Sequence, residues 1–351
     1  MSTPDNPLAS VIVLGYNDRP YLEGCLGSLL DQSLPSNAYE VIYADNASSD
    51  GSADFVAERF PQVKVLRFDR NYGFAEGNNR AAAYAHGRYL CFQNDDTLAH
   101  RYWLESLIEA VESDPQARAS HAAGRPLHLG GYHERQVMPK TGVLCDLTRF
   151  GCVDFTEVPL DGHVAPTLHI AGGSFLVDAQ LLKELPYIFD PTFFMYNEDT
   201  DLGLRINNLG YKVLFASHAV MYHERAPERR TTLNKKGFRM AYLTTRNRYL
   251  TFYKNMYTPE FLLALPLLCL GTVIKLRTFP LSLPRKMVYA AFLLPYSLLA
   301  LLSAVFQFPK YAGQRRKILQ NRPTGRYWLL KELWKRKIPP PTLLSFGVSP
   351  A

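Results

Sequence analysis

The chain has 351 residues, of which 47% are hydrophobic, so it is longer than one ordinary domain and apolar enough to bury a sizeable core. Its five cysteines are odd in number, scattered and without metal-ligand spacing, which argues against a disulfide scaffold or a zinc site. Together with a polar start, Met1–Pro7, that lacks the apolar core of a signal peptide, this predicts a cytosolic protein with reduced thiols.

The net charge of +7 is distributed unevenly. From Met1 to Glu224 there are 16 Lys and Arg against 29 Asp and Glu, a net charge of −13, whereas from Arg225 to Ala351 there are 23 against 3, a net charge of +20. An acidic part is therefore joined to a basic part, which suits either nucleic acid or an anionic membrane surface. The long apolar runs of the basic part favour the membrane.

The first hundred residues alternate between strand and helix patterns with short connections. Strands are predicted where apolar and β-branched residues run together, and helices where apolar residues recur every three or four positions. In chain order these are a strand over Ser10–Asn17, a helix over Tyr21–Leu30, a strand over Tyr39–Ala44, a helix reaching Phe60, a strand over Val63–Phe68, a helix over Arg80–His86 and a strand over Tyr89–Phe92. The alternation predicts an α/β unit with a largely parallel sheet.

Beyond residue 100 the pattern is less regular. A helix over Tyr102–Glu112 is followed, over residues 114–167, by a segment rich in Gly, His and charge, for which we predict variable loops with short strands. The elements predicted after it are an apolar segment over His169–Val177, a helix over Ala179–Leu185, a helix beginning near Glu198, and strands over Tyr211–Ala216 and Ala219–His223.

The fourth strand ends abruptly in Asn94, Asp95 and Asp96. Ligands of an open α/β sheet bind outside the carboxyl ends of its strands, so these oxygens are expected in the site. Two adjacent carboxylates repel each other unless a cation compensates them, and oxygen ligands suit Mg²⁺ or Mn²⁺. A solvated turn is the alternative for this triplet taken alone.

Five motifs occur together in one order, and their order and spacing resemble a known family. They are Asp45–Ser52, Asn71–Asn79, Asn94–Asp96, Gly172–Ser174 and Asn197–Arg205. The chain resembles a family 2 glycosyltransferase of the GT-A fold, close to the bacterial rhamnosyltransferase-like branch, over roughly residues 10–253. The resemblance implies a Rossmann-like mixed α/β sheet and an inverting, metal-dependent transfer of a sugar from a nucleotide diphosphate sugar, with dTDP-rhamnose or a UDP-sugar as candidate donors.

The same resemblance implies the residues that bind the donor and the cation. Asp45 would accept a nucleobase imide N–H, although it could equally be a carboxylate that starts a helix. Asp96 would coordinate the cation, Mg²⁺ or Mn²⁺, and His223 would complete the metal shell, with His218 as a competitor. The nucleotide-sugar-binding residues would be Asn17, Asp45, Asn71, Gly73, Gly77, Asn78, Asp95 and Gly173. For the glycines a structural turn is the alternative.

Inverting transfer needs one general base for the acceptor hydroxyl. By resemblance Asp199 is that base, and Glu198 orients the acceptor or the base. Two acidic residues at a helix start could also be a simple negatively charged first turn. Asp201 and Arg205, four residues apart on the same helix, could be a plain surface pair.

The C-terminal part combines basic segments with two apolar runs. Phe261–Ile274 is short for a membrane span and contains Pro266, whereas Met287–Phe308 is long enough and contains Pro295. Because all the flanking segments are basic, we expect both helices to enter the cytoplasmic leaflet without crossing it, with a two-span hairpin as the alternative and a buried helix pair as the other.

We therefore expect a GT-A domain over residues 1–230 and a basic, apolar, membrane-associating helical region over residues 231–351. The enzyme would work at the cytoplasmic face of the inner or plasma membrane, on a glycan or lipid-linked saccharide acceptor. The alternatives are a non-catalytic nucleotide-sugar-binding or membrane scaffold protein, a processive synthase, which the missing Gln-x-x-Arg-Trp motif disfavours, and a nucleic-acid binder, which the apolar runs disfavour.

Overall fold

The computed structural model describes residues 7–126, 138–223, 235–277, 283–320 and 322–336. Its first half contains β1 (Ala9–Gly15), α1 (Leu22–Leu30), β2 (Tyr39–Asp45), α2 (Ser52–Arg59), β3 (Lys64–Arg67), α3 (Gly73–Ala82), β4 (Tyr89–Asn94), β5 (Thr97–Ala99), α4 (Trp103–Glu112) and β6 (Ala117–Pro126). Then follow β7 (Thr141–Leu147), β8 (Val153–Pro159), β9 (Val164–Thr167), β10 (Ser174–Asp178), α5 (Glu198–Asn208), β11 (Lys212–His223), α6 (Lys235–Asn255), α7 (Thr258–Arg277), α8 (Leu283–Gln320) and α9 (Trp328–Lys335).

These strands form one mixed sheet in the order β3-β2-β1-β4-β10-β6-β11-β5. The pairs β1–β2, β1–β4 and β2–β3 are parallel, and β10 runs antiparallel to both β4 and β6. The predicted α/β fold with a GT-A-like mixed sheet is confirmed. Because β1, β2 and β4 are parallel, their carboxyl ends lie along one edge, which is where the acidic strand end predicts a site.

Helices cover both faces of the sheet. Val11 and Val13 of β1 pack in a cluster with residues of α1 and α4, whereas Ile12 packs in a second cluster with residues of α3 and α5. Successive strand residues point to opposite faces, so one apolar run supplies both cores. The uninterrupted apolar pattern of β1 is therefore explained by burial on two sides.

The middle of the chain, for which we predicted variable loops with short strands, contains the short strands β7, β8 and β9 and also the longer β6. Ten-residue β6 lies inside the sheet, and β7 and β8 form an antiparallel pair beside it. The sequence of β6, Ala-Arg-Ala-Ser-His-Ala-Ala-Gly-Arg-Pro, has no β-branched residue, and its strand conformation comes from pairing with β10 and β11. The helix predicted after β10 is a short 3-10 turn, Ala179–Lys183. The two strands predicted near the end of the sheet are one, β11, with a register shift between Ala216 and Val220.

Helices α6 to α9 share a hydrophobic cluster with the sheet-bearing part of the chain. Leu204 of α5 and Leu147 of β7 pack in that cluster with Leu250 of α6, Leu268 of α7 and Leu333 of α9. The predicted boundary at residue 230 falls within residues 224–234, outside the described part of the chain. On either side of that gap, α5 and α6 are in one apolar core.

Over the described ranges, none of the helices combines the length and the apolar character needed to cross a bilayer. Helices α7 and α8 continue through Pro266 and Pro295. Both nevertheless present apolar side chains outward, among them Leu263, which is 60% exposed, and Phe306, which is 81% exposed.

Candidate active site

The loops that follow β2 and β3 are tied together by Asn46. This buried side chain donates from Nδ2 to Asn71 Oδ1 and to the Gly73 carbonyl, both at 3.2 Å, and its Oδ1 accepts from the Tyr72 N–H at 2.9 Å. Asn71 Oδ1 also accepts from the Gly73 N–H at 2.8 Å. Asn46 was part of a sequence motif without a predicted role, and its position directly after the carboxyl end of β2 was the signal for one.

Asn17 joins the segments that follow β1 and β2, and Asp45 binds within the loop that follows β2. Asn17 has a φ of 53°, and its Oδ1 accepts from the Ser49 N–H at 2.9 Å. Asp45 Oδ2 accepts from the Ser48 N–H at 3.2 Å, while its buried Oδ1 has no hydrogen-bond partner in the described part of the chain. That oxygen is placed at the carboxyl edge of the sheet and can accept a hydrogen bond from a ligand.

The glycines of α3 allow close packing. A Cβ at Gly73, whose φ is +76°, would lie 2.6 Å from the Phe194 ring, and one at Gly77 would lie 2.7 Å from the Leu14 side chain. Asn78 is buried and donates from Nδ2 to the Phe74 carbonyl within the same helix at 3.0 Å. These contacts agree with the structural alternative for the glycines, and direct roles of all three residues in donor binding stay predictions.

The predicted metal ligands lie close to each other. Asp96 is buried, and its Oδ1 is 3.7 Å from Nε2 of the partly exposed His223. His223 is brought there by the pairing of β11 with β5, in which it faces Thr97. The competing His218 is exposed and lies against Gly162. Half-buried Asp95 precedes Asp96.

A carboxylate and an imidazole are a donor set that Mn²⁺ and Mg²⁺ accept, Mn²⁺ more readily because of the nitrogen. Within the described residues no third His, Cys, Asp or Glu joins them in a group that could hold a metal ion by itself. The pair therefore fits a cation whose remaining ligands come from a bound diphosphate and water.

The Gly172–Gly173 turn connects the end of β4, which precedes the predicted metal ligand Asp96, to the predicted base Asp199. The Asn94 N–H donates to the Gly173 carbonyl at 2.9 Å, and the Gly172 N–H donates to Asp199 Oδ2 at 3.2 Å. A Cβ at Gly172 would lie 2.6 Å from that Asp199 oxygen, so the approach requires glycine. The motifs around Asp96 and Asp199, about a hundred residues apart in sequence, are thus neighbours in space.

The Asp199 carboxylate is held at both oxygens. Besides the Gly172 contact, its Oδ1 accepts from the Thr200 N–H at 2.6 Å. The Thr200 hydroxyl is in turn 3.0 Å from Nδ1 of His169, a buried histidine whose pKa is lowered by burial. Asp199 keeps partial exposure, so it is both oriented and accessible.

Glu198 is in a different environment from Asp199. Its side chain is buried, its Oε2 has no hydrogen-bond partner among the residues described, and burial raises its pKa well above the ordinary value, with the Asp199 charge adding to the effect. Two adjacent carboxyl groups are thus in different environments: Glu198 is buried with a raised pKa, and Asp199 is partly exposed.

The helix that carries both acids is fixed by a buried ion cluster. Asp201 accepts from Arg205 Nε at 2.8 Å and from Lys254 Nζ at 2.9 Å, and Lys254 Nζ is 2.6 Å from Asp190 Oδ2. All four side chains are fully buried, so the idea that Asp201 and Arg205 form a surface pair is wrong. Nothing in the local sequence around Asp201 indicated that its second cation comes from α6.

Comparison with family models gives two adjoining matches. Residues 10–138 match the model described as glycosyl transferase family 2, and residues 153–304 match the one described as glycosyl transferase family group 2. Together the two matches cover most of the sheet, helices α5 to α7 and part of α8.

Curated relatives carry related descriptions. Glycosyltransferase AglE of Haloferax volcanii is 23% identical over 67% of this chain and 72% of its own length. N-acetylglucosaminyl-diphospho-decaprenol L-rhamnosyltransferase of Mycobacterium tuberculosis is 25% identical over 62% of this chain and 76% of its own length. A shorter match, 37% identical over 29% of this chain and 41% of the relative, is to the putative teichuronic acid biosynthesis glycosyltransferase TuaG of Bacillus subtilis.

Solved structures share the fold. The mannosyltransferase PcManGT of Pyrobaculum calidifontis, in complex with GDP-Man and Mn²⁺, superposes with a TM-score of 0.53 at 19% identity, over 95% of this chain and 90% of its own. S. aureus TarS 1–349 gives 0.53 at 17% identity, over 93% of this chain and 91% of its own. At these identities the likeness concerns the fold alone.

Proposed function

This chain belongs to glycosyltransferase family 2, and we propose that it is an inverting, metal-dependent enzyme that transfers a sugar from a nucleoside diphosphate sugar to a hydroxyl of a lipid-linked glycan. The observation that carries the proposal is the backbone connection from Asn94 through Gly173 and Gly172 to Asp199. It brings a candidate cation site and an oriented carboxylate to the same edge of the sheet.

In the proposed reaction, the acceptor hydroxyl oxygen forms a bond to the anomeric carbon while the bond from that carbon to the diphosphate oxygen breaks. The hydroxyl proton passes to Asp199, and the electron pair of the broken bond leaves with the nucleoside diphosphate. Asp199 suits the role because the backbone N–H groups of Gly172 and Thr200 fix its orientation. Glu198 lies next to it, and the raised pKa of Glu198 favours the protonated form, which could donate a hydrogen bond.

Asp96 and His223 are the residues that would hold the cation. When bound, it would neutralise the negative charge that develops on the leaving diphosphate. The Mn²⁺ present with GDP-Man in the structural neighbour PcManGT supports a divalent cation here. Asp95 would face the ribose.

For the donor, we propose that Asp45 Oδ1 accepts the imide N–H of the base and that the loops tied by Asn46 surround the ribose and diphosphate. dTDP-rhamnose and a UDP-sugar are the candidates, because thymine and uracil present that N–H and a relative is described as an L-rhamnosyltransferase. Asn17, which joins the loops after β1 and β2, would shape the same pocket.

For the acceptor, the supporting feature is the outward apolar surface of α7 and α8. We propose residues 1–230 as the transferase domain and residues 231–351 as the membrane-associating region, at the cytoplasmic face of the membrane.

A groove of about 340 Å³ lies between α6 and α8, lined by Phe238, Arg239, Tyr242, Tyr296 and Leu299. Arg239 lies 5.4 Å from the ring centre of Phe194, which is in the loop before Glu198. An apolar groove with a cation next to that loop suits an acceptor carrying a lipid and a diphosphate.

The test uses Asp199→Asn. The amide keeps the shape of the side chain but cannot take the proton, so transfer should fall by at least about a hundredfold while nucleotide binding stays nearly unchanged. Donors are first selected by thermal shift with UDP, dTDP and GDP, each with and without Mn²⁺, and transfer is then measured with the matching sugar nucleotides. Near-normal transfer by Asp199→Asn would exclude Asp199 as the base.

A further inference from the structure

The loop that leads into the two acidic residues has an unusual backbone. Phe194, Tyr196 and Asn197 have φ values of 62°, 73° and 69°, in the left-handed region that favours glycine. Such conformations cost free energy and persist when surrounding contacts hold them. Asn197 is directly followed by Glu198, so the conformation of this loop sets where α5 begins.

The same loop reaches the donor side of the site. The Phe194 carbonyl accepts from the Phe74 N–H at 2.8 Å and from the Ala75 N–H at 3.2 Å, at the start of α3. The loop of residues 193–197 therefore contacts the helix at whose start Gly73 lies and carries the helix that begins with Glu198. The backbone of this loop therefore connects the start of α3 to the start of α5, where Glu198 and Asp199 lie.

One side chain from the C-terminal helices holds this loop. Asn247 of α6 is fully buried, and its Nδ2 lies 3.2 Å from the Phe193 carbonyl, 3.0 Å from that of Met195 and 2.8 Å from that of Tyr196. The amide has two hydrogens, so three carbonyls share two donors. Buried carbonyls without donors are costly, and these contacts offset the cost of the strained backbone.

The amide of Asn247 is itself oriented. Arg246 donates to its Oδ1 from Nε at 2.9 Å and from Nη2 at 2.7 Å, so the oxygen faces the cation and the nitrogen faces the loop. Two turns further along α6, Lys254 and Asn255 bind Asp201 of α5 at 2.9 Å and 3.0 Å. Helix α6 is thus fixed relative to α5, and Asn247 is fixed relative to both.

We propose that Asn247 is a positioning residue of the active site. By binding the carbonyls of the 193–197 loop, it fixes the orientation of Glu198 and Asp199 relative to α3. It touches neither substrate nor the reacting atoms. Its role in turnover rests on the proposed function, whereas its effect on the loop does not.

The experiment compares Asn247→Ala and Asn247→Asp with Leu250→Ala. The Asp variant keeps the shape of the side chain but replaces the N–H donors with an acceptor facing three carbonyls. Leu250 is a fully buried core residue of the same helix, so its truncation destabilises α6 without removing a donor to the loop. Hydrogen–deuterium exchange in the intact chain measures how well the loop is held, and kcat and nucleotide affinity measure the effect on the active site.

Both Asn247 variants should increase amide exchange in peptides covering residues 193–200 more than Leu250→Ala does. They should lower kcat by about 100-fold, the effect of misplacing a catalytic group by about 1 Å, with the affinity for UDP and Mn²⁺ changed far less. Loop exchange equal to that of Leu250→Ala, or an unchanged kcat despite looser exchange, would overturn the proposal. If the wild-type chain transfers no sugar, the proposed function fails, and the exchange data alone decide whether Asn247 fixes the loop.

Discussion

At the scale of single residues, Asp96 Oδ1 and His223 Nε2 lie 3.7 Å apart, and these two side chains are the proposed ligands of the cation. A cation held by two protein groups binds strongly when a diphosphate supplies further oxygens, so metal and nucleotide should bind together. The effect of Mn²⁺ on nucleotide binding therefore measures whether Asp96 and His223 bind the cation.

We expect Asp96→Ala to abolish the stabilisation that Mn²⁺ adds to nucleotide binding and His223→Ala to reduce it. A nucleotide at 100 times its Kd stabilises a protein by about 2.7 kcal/mol, and a tenfold loss of affinity lowers this to about 1.4 kcal/mol. Thermal shifts over a Mn²⁺ titration measure the change. His218→Ala is the matched control and should behave like the wild type; equal losses in His218→Ala and His223→Ala would count against the assignment.

A second residue-scale prediction concerns the pH dependence of stability. Glu198 is buried with Asp199 and Asp201 as its charged neighbours, and its pKa in the folded state is raised above the ordinary 4.5. The folded chain therefore keeps a proton that the unfolded chain releases. The stabilisation from this proton is complete below the ordinary pKa and is lost as pH rises through the raised pKa.

Glu198→Gln removes this dependence. The variant should gain stability relative to the wild type as pH rises above about 4.5, with a slope of up to about 1.4 kcal/mol per pH unit until Glu198 ionises in the folded state. Urea denaturation of both proteins between pH 5 and 8 gives the difference directly. Parallel stability curves over this range would show that Glu198 titrates normally.

At the scale of elements, α5 and α6 are locked by Lys254 between Asp190 and Asp201. We expect Lys254→Met to lower the free energy of unfolding by about 3–5 kcal/mol, because the buried cluster would then hold two carboxylates and one cation, Arg205. As a matched control, Arg59→Ala removes an ion pair with Glu23 whose side chains are 61% and 66% exposed, and should cost less than about 1 kcal/mol. Urea unfolding compares the two; equal effects would contradict the view that burial makes the difference.

The sequence predicts an element well when its own residues determine its conformation, and poorly when contacts with distant segments do. The strands β1, β2 and β4 are recognisable because burial on both faces leaves uninterrupted apolar runs. Strand β6 is not recognisable, because its pairing with β10 and β11 outweighs a composition of alanine, arginine and glycine. Asp96, His223 and Asp199 were predicted because each lies at the end or start of a recognisable element, whereas Asn247 and Lys254 act through contacts across long sequence separations that no local pattern encodes.

At the scale of the whole molecule, the transferase part and an outward apolar surface are built around the same helices. One side of α7 and α8 packs through Phe261, Leu268 and Ala304 into the core shared with α5. The other side exposes Leu262, Leu263, Leu298, Leu299, Leu302, Val305 and Phe306. Together with the basic charge of the C-terminal part, this surface predicts binding to anionic bilayers.

We expect the chain to sediment with vesicles containing anionic phospholipid and to be released by salt. Leu299→Ser combined with Phe306→Ser should lower the partition coefficient by at least about tenfold, since each loses the free energy of burying a large apolar side chain. Tyr84→Ser, which changes an exposed aromatic of the transferase part, is the control. Equal partitioning of the double variant and the wild type would refute this surface as the membrane contact.

The Lys254 cluster also bears on the order in which the protein is made. Asp201 precedes Lys254 by 53 residues, so during synthesis the helix with the two acidic residues leaves the ribosome well before its cation. Until α6 emerges, Arg205 is the cation of this cluster that has been made, so burying Asp190 and Asp201 together would leave one excess negative charge and would disfavour packing of α5 into the core. The sheet can form early, but α5 packs against it late. In a nascent chain halted before residue 254, strands β1 to β4 should therefore be folded while α5 is not yet packed against them.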